Sequence, residues 1–507
     1  MNSSRSQNPF LLVLLTVGLL GLLSLLKPGL TVGGVELRPV RLLADVLRKD
    51  PTALARLDAP PPNGPAASNT PAAANQLELA RADSAAARDA RDTTETKVTK
   101  GPTVPNLGGL SSFFAALHQT KADGSQVRIA YFGDSMIEGD LITGDLRNSL
   151  QTTFGGSGVG FVPMTSITAD FRATIHQTFS PDWYEYNLVS DKLPAKYPLG
   201  ISGHAFVPRE VANRDSTGIV ADTSWVQFQA GQYFATNRRF VEAKLFYGPG
   251  SGRDQVLVTT DGHRVPHALV GQGRLNEMVL HPGTPARRMR LAFATHAPRP
   301  VYGVSFESPQ GVVLDNFSFR GNSGMSLTRI PAQQLQAFGT MLDYRLVILH
   351  YGVNVADARN KTYGWYERAM TRVVDRMQRA FPNASILIIG MSDKSSRIDG
   401  EFQTDPSVPR LLKAQRSLAE HNHAAFWNLF EAMGGENSMV KWVEDSPPLA
   451  NKDYTHVNSR GAHKIAGLLF DYLMQEYAHP TLTDAPAAAT RSDSTTRPAR
   501  DSATATR

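Results

Sequence analysis

Four short stretches of this chain hold the residue types that acyl transfer needs. Ser135 lies in Tyr131-Phe132-Gly133-Asp134-Ser135-Met136-Ile137-Glu138-Gly139-Asp140, just past an apolar run and at the expected start of a helix. A serine hydroxyl is a weak nucleophile by itself; it needs a base, a group that orients the base, and donors for the oxyanion that forms. Towards the other end the chain reads Asp453-Tyr454-Thr455-His456-Val457-Asn458. An imidazole titrates near neutrality, and a carboxylate three residues before His456 can reach its second ring nitrogen, fixing the tautomer. Donors are offered by the amide of Asn354 in Tyr351-Gly352-Val353-Asn354, by a backbone N–H within Gly321-Asn322-Ser323-Gly324-Met325, and by the N–H of Ser135 itself. Each motif also has an ordinary reading: Gly and Asn form turns, and Asp453 can cap a helix expected over residues 459–475.

The elements that must bring these residues together follow from the apolar pattern. Residues 127–132, 312–319, 346–350, 385–390 and 424–428 are short apolar runs that read as buried strands. Residues 136–154, 366–381 and 409–421 carry apolar residues at helical spacing. Strands alternating with helices imply crossover units and a parallel sheet covered on both faces, with ligands outside the carboxyl ends of the strands. Ser135 and Asn354 both follow strand ends, consistent with one shared site. The interval 163–309 breaks this rhythm with short alternating segments separated by Gly, Pro, Asp and Asn, the pattern of an inserted β-sandwich. Its Trp225, Phe234 and Tyr247 serve either as a sugar platform or as core.

Composition bounds the remaining possibilities. The 507 residues carry a formal charge of +6, but Lys and Arg are scattered and no basic run interleaves with aromatics, which argues against a nucleic-acid role. With no cysteine the chain has no disulfide framework, thiolate nucleophile or Cys-ligated metal. His421 and His423 lack a third ligand, so neither metal nor cofactor is expected. Glu138 and Asp140 read as a solvated helix start. Residues 9–26 are almost entirely apolar and read as a membrane anchor within a segment 1–30; basic residues on both flanks leave its orientation undecided by charge. Residues 50–105 and 481–507 are rich in Ala, Pro, Ser, Thr and charge, and are expected to be linker and tail. The expected domain is therefore split, with parts at 106–163 and 311–480 and the insertion at 164–310.

Gly133-Asp134-Ser135, the glycine of Gly321-Asn322-Ser323-Gly324, Gly352-Val353-Asn354 and Asp453-Tyr454-Thr455-His456 stand in the order of the four blocks of the SGNH (GDSL-type) hydrolase superfamily. The chain resembles that superfamily over residues 126–163 and 312–477. The resemblance implies a flavodoxin-like three-layer α/β/α domain with a parallel sheet, interrupted by the β-sandwich. It also implies Ser135, Asp453 and His456 as the catalytic triad, and the Ser135 N–H, Gly324 and Asn354 as the oxyanion hole. Val355 departs from the pattern, since many members have Asp after the Asn. An insertion between the first two blocks is similar to the arrangement in cell-envelope peptidoglycan O-acetylesterases, where the insert resembles a carbohydrate-binding module; residues 426–439 are similar to such members too. The implied activity is that of a serine esterase removing O-acetyl groups from a cell-envelope glycan, peptidoglycan first. Its partners are then the acetylated glycan and the inner membrane, with the enzyme on the periplasmic face, held by residues 9–26. The same residues would make an O-acetyltransferase if a sugar hydroxyl replaced water. A non-catalytic glycan-binding scaffold is the competing reading from another class, and a lipid esterase would call for an apolar lid that the sequence does not display.

Overall fold

The computed structural model describes residues 109–209, 224–250, 254–294, 297 and 299–478, together with a short antiparallel pair, Thr31–Val32 with Val35–Glu36. The expected anchor, linker and tail lie outside the described residues. Among the described residues no helix is long and apolar enough to cross a membrane.

Five apolar runs condense into one parallel sheet: β1 (Gln126–Gly133), β2 (Gly311–Ser318), β3 (Tyr344–His350), β4 (Ser385–Gly390) and β5 (Ala425–Asn428). Their spatial order is β2-β1-β3-β4-β5 with every pairing parallel, which is the flavodoxin-like order. Successive residues point to opposite faces, so each run feeds two cores at once. Ala130, Val347 and Ile388 pack under helices α3 (Ala332–Leu342), α4 (Gly364–Ala380) and α5 (Ser407–His421). Ile129, Ile348 and Leu387 pack under α1 (Ser111–Asp123), α2 (Thr143–Phe154) and α8 (Ser459–Ala478). Two short helices, α6 (Leu429–Met433) and α7 (Ser438–Glu444), connect β5 to the loop that carries His456. On α4 the buried residues Tyr366, Ala369, Met370, Val373, Val374 and Met377 recur at helical spacing, so burial of one stripe fixes the helix on the sheet.

Where one helix is expected from residue 136 to 154, the structure has a 3-10 turn, Ser135–Asp140, followed by α2. The break has a backbone cause: Glu138 is extended (ψ 151), and Gly139 and Asp140 are left-handed (φ 60 and 65).

Between β1 and β2 the chain forms two antiparallel sheets facing each other. One holds Ile175–Phe179, Ser224–Ala230, Gln255–Thr260, His263–Ala268 and Arg288–Ala294. The other holds Tyr184–Asn187, His204–Val207, Glu242–Tyr247, Asn276–Leu280 and Val301–Glu307, and Gly160–Val162 adds to it beside Val301–Glu307. Val226, Phe228 and Leu291 from one meet Leu245, Val304 and Phe306 from the other in a shared core, as in a sandwich.

Buried charge joins the insertion to the parallel-sheet domain. Arg128 of β1 donates to Glu307 at the end of the insertion (2.6 Å) and to Asp315 of β2 (2.7 Å). Asp140, with no exposed side-chain surface, takes Arg147 from α2 (3.1 Å) and Arg172 from the insertion (2.8 Å). Burial alone would raise the Asp140 carboxyl, but the two guanidinium groups outweigh it and hold it far below the usual carboxylate range. Asp140→Ala, which strands two buried cations, is expected to cost about 3–5 kcal/mol of stability. Urea unfolding of the variant checks this, and a loss under about 1 kcal/mol would contradict it.

Candidate active site

Strand order reverses at β1 and β3, and there the chain leaves the sheet twice with chemically useful residues. Ser135 follows β1 and Asn354 follows β3, at the carboxyl ends of two neighbouring strands. The third contribution comes from the loop ahead of α8. Ser135 Oγ lies 2.9 Å from His456 Nε2, and His456 Nδ1 lies 2.7 Å from Asp453 Oδ2. The structure therefore brings together a hydroxyl, an imidazole and a carboxylate from positions 321 residues apart.

The alternative in which Asp453 caps α8 does not hold. Asn458 does that work, its Oδ1 accepting from Arg460 N (2.9 Å) and Gly461 N (3.2 Å). Asp453 instead closes its own turn, its Oδ1 accepting from the backbone N–H of Thr455 and of His456, both at 3.0 Å. This tight turn needs Tyr454 in a left-handed conformation (φ 54), and the hairpin Ser395–Ile398/Glu401–Thr404 holds it there. The Phe402 ring stacks on Tyr454 at 3.7 Å, and Ser395 N donates to Tyr454 O at 2.9 Å.

The electrostatics suit a base. The hydrogen bond to Asp453 raises the His456 pKa above its ordinary value; partial burial opposes this, and the charges of Asp453, Asp134 and Glu138 add to the rise. Burial works against the Asp453 carboxylate, but its bonds from His456 and Thr455 outweigh that and leave its pKa lowered. The Ser135 side of the site is 9% exposed, so the hydroxyl is at the surface but lodged in the fold.

The Ser135 N–H and the Asn354 amide remain candidates for the oxyanion donors. The Ser135 N–H begins the 3-10 turn and has no partner among the described residues. Asn354 Nδ2 donates to Asp134 Oδ2 (3.0 Å) and to Asn322 O (3.2 Å). Both amide hydrogens thus have acceptors, and an oxyanion beside Ser135 would draw one into a shared bond, the longer one to Asn322 being the easier to share. Asn354→Ala is expected to lower kcat on an ester by about 10²–10³-fold with little change in KM; a loss under about fivefold in steady-state assays would remove Asn354 from the oxyanion site.

Gly324 is a correction. Its N–H is committed to Asn322 Oδ1 at 2.8 Å, and the residue is turned into the core: a Cβ there would meet the Tyr351 ring at 2.8 Å and Met370 at 3.0 Å. The left-handed φ of 92 and this crowding explain why a glycine is needed, without making its amide available to substrate. Gly321, in the preceding turn, is half-exposed, and its N–H has no partner among the described residues. Val355, the departure from the superfamily pattern, is 7% exposed and sits in the core beneath the loop.

Several functional neighbours were not singled out by sequence. Asp134 is buried and fixes the Asn354 amide; burial pushes its carboxyl up to about 7, against the pull of the Met136 N–H and the nearby His456 charge. Glu138 and Asp140, read as a solvated helix start, are both engaged: Glu138 pairs with Arg320, and Asp140 lies in the buried network above. The available signal was the spacing of Asp140 and Arg147, seven residues or two helical turns apart. In the insertion, Tyr247 is 2% exposed core, and the Arg290 guanidinium lies 3.9 Å from the Trp225 ring centre, so neither is an open platform.

Comparison with known proteins follows from this geometry. No protein-family model matches the chain, and no curated protein sequence matches it significantly. Among solved structures, a peptidoglycan O-acetylesterase superposes with a TM-score of 0.58 at 22% identity, the match covering 74% of this chain and 98% of that one. The two share a three-layer α/β/α fold with a parallel sheet interrupted by an inserted β-sandwich. Two further structures match less well. One is an acetyl xylan esterase (16% identity, 32% of this chain and 81% of that one, TM-score 0.25). The other is a family two carbohydrate esterase from Clostridium thermocellum bound to cellohexaose (10% identity, 50% and 93%, TM-score 0.25).

Proposed function

We propose that this protein is a serine esterase that removes O-acetyl groups from a cell-envelope glycan, with peptidoglycan as its first substrate. The observation that carries the reading is the hydrogen-bonded series Ser135–His456–Asp453 at the sheet's carboxyl edge. His456 Nε2 takes the hydroxyl proton as Ser135 Oγ attacks the acetyl carbonyl carbon, and the carbonyl electrons move onto oxygen. The Ser135 N–H and the Asn354 amide stabilise that oxyanion. When the tetrahedral species collapses, the bond to the sugar oxygen breaks and that oxygen takes the proton back from His456, leaving acetyl-Ser135. Water then attacks the acetyl group, His456 accepts its proton, and the departing Ser135 Oγ is reprotonated as acetate leaves. Asp453 holds the ring and stabilises the imidazolium in both halves.

The 98% coverage of a peptidoglycan O-acetylesterase structure supports the choice of glycan. Residues 9–26 support a place in the envelope, where they would anchor the enzyme in the inner membrane with the catalytic domain on the periplasmic face. The test is acetate release from O-acetylated peptidoglycan by the full chain in detergent, with acetylated xylan in parallel and with acetate moved to an added sugar acceptor counted separately. The reading predicts free acetate from peptidoglycan. Release from xylan alone would overturn the substrate, and transfer in place of release would overturn hydrolysis.

A further inference from the structure

A cleft opens beside Ser135 where the inserted sandwich meets the parallel-sheet domain. One wall is the end of the 3-10 turn, Glu138 and Gly139, together with the residues that follow β2 up to Arg320; the other comes from the insertion, including Thr165, Ile167 and Asn187. Glu138 is three residues beyond Ser135 in the same 3-10 turn, so this wall of the cleft is continuous with the segment that carries the hydroxyl.

Two features define what this cleft would take. The first is its charge. Glu138 is paired with Arg320 (2.7 Å), Arg172 with Asp140 (2.8 Å), and Glu185 accepts from Thr165 and Asn187, both at 3.0 Å, with His204 at 3.5 Å. Each charged group on the walls thus has a polar or charged partner within the protein, so the cleft offers polar edges with no unpartnered charge. The second is its rim. Ile167 is 70% exposed and Phe171 is 52% exposed, although both belong to an ordered turn in which Phe171 N and Arg172 N donate to Thr168 O. The Phe171 ring lies against Gly139; a Cβ on Gly139 would stand 2.6 Å from it. Held against Gly139 of the cleft wall and half-exposed, Phe171 offers a preformed apolar surface at the cleft's edge.

Polar edges with cancelled charge and a flat apolar face are the chemistry that recognises a neutral pyranose. We propose that this cleft is a glycan subsite that holds a neutral N-acetylhexosamine unit next to the acetylated one, with Phe171 and Ile167 under the sugar face. The choice of N-acetylhexosamine rests on the peptidoglycan reading above; the cleft's preference for an uncharged pyranose does not. Of the side chains the sequence offered as a platform, Trp225 is covered by Arg290 and Tyr247 is buried, whereas Phe234 is half-buried with its ring edge-to-face against Tyr233.

The test separates binding from catalysis. The full chain carrying Ser135→Ala is titrated with chitotetraose, an N-acetylglucosamine tetramer without O-acetyl groups, and its Kd is measured by calorimetry. Adding Phe171→Ala is expected to weaken binding about tenfold, and Ile167→Ser, at an exposed position where folding is not at stake, about threefold. In the parent background with Ser135 intact, both variants are expected to hydrolyse p-nitrophenyl acetate within twofold of the unaltered chain. Absence of chitotetraose binding, or a Kd unchanged in both variants, would overturn the subsite. Intact, Phe171-dependent binding by a chain that releases no acetate from peptidoglycan would uphold the subsite and count against the esterase reading alone.

Discussion

Replacing Ser135 with alanine is expected to lower kcat on a simple acetyl ester by about 10⁵–10⁶-fold while leaving the fold intact. The hydroxyl sits 2.9 Å from His456 Nε2 and is the group through which the acyl transfer is divided into two steps, so its loss removes both of them. What remains would be the modest acceleration due to the oxyanion donors and binding acting on water. Alanine removes one oxygen from a site at the protein surface, so the thermal unfolding midpoint should stay within a degree or two of the parent's. Steady-state hydrolysis of p-nitrophenyl acetate checks the rate, and a loss smaller than about tenfold would mean that another group is the nucleophile.

Asp453→Asn is expected to lower kcat by about 10³–10⁴-fold and to move the pH profile. The carboxylate receives the Nδ1 proton at 2.7 Å; an amide in its place favours the other tautomer and no longer stabilises the imidazolium. The sign of the pH shift follows from the cause of the His456 perturbation. Because Asp453 raises that pKa, the protonated and inactive ring persists to higher pH, and the acid limb of kcat/KM in the parent should have its midpoint above the ordinary histidine value of about 6.5. Without the carboxylate the limb should move to lower pH. An unchanged limb, measured as kcat/KM from acid to neutral pH, would show that His456 is not the base or that Asp453 does not tune it.

The parts of this molecule that sequence made legible are those where one physical demand dominates. β1 to β5 are buried on both faces, so their apolar runs stand out whatever surrounds them. The grouping of Ser135, Asp453 and His456 was legible because these residue types have few other reasons to occur in those motifs together, and the structure holds them within hydrogen-bond reach. Legibility failed where competing demands meet. His263–Ala268 has exposed alternate and adjacent positions and contains Pro266, so no periodic signal marks that edge strand. The 3-10 turn after Ser135 shares the composition of a helix start, and only the left-handed Gly139 and Asp140 reveal the break. Gly324 looked like an oxyanion donor because a glycine near substrate and a glycine crowded by Tyr351 and Met370 are identical in sequence. The roles of Arg172 and Arg320 depend on partners 32 and 182 residues away, which no local pattern encodes.

An acetyl group caught on Ser135 tests the central claim most directly. The full chain mixed with p-nitrophenyl acetate, quenched in acid within the first turnovers and digested, should give a peptide containing Ser135 that is heavier by one acetyl group. The modified fraction should rise when Asn replaces Asp453 only if deacylation slows more than acylation, but in the parent it must appear at the rate of the initial burst. An acetyl group found on another residue, or turnover that proceeds with no acetylated peptide and no burst, would contradict the account.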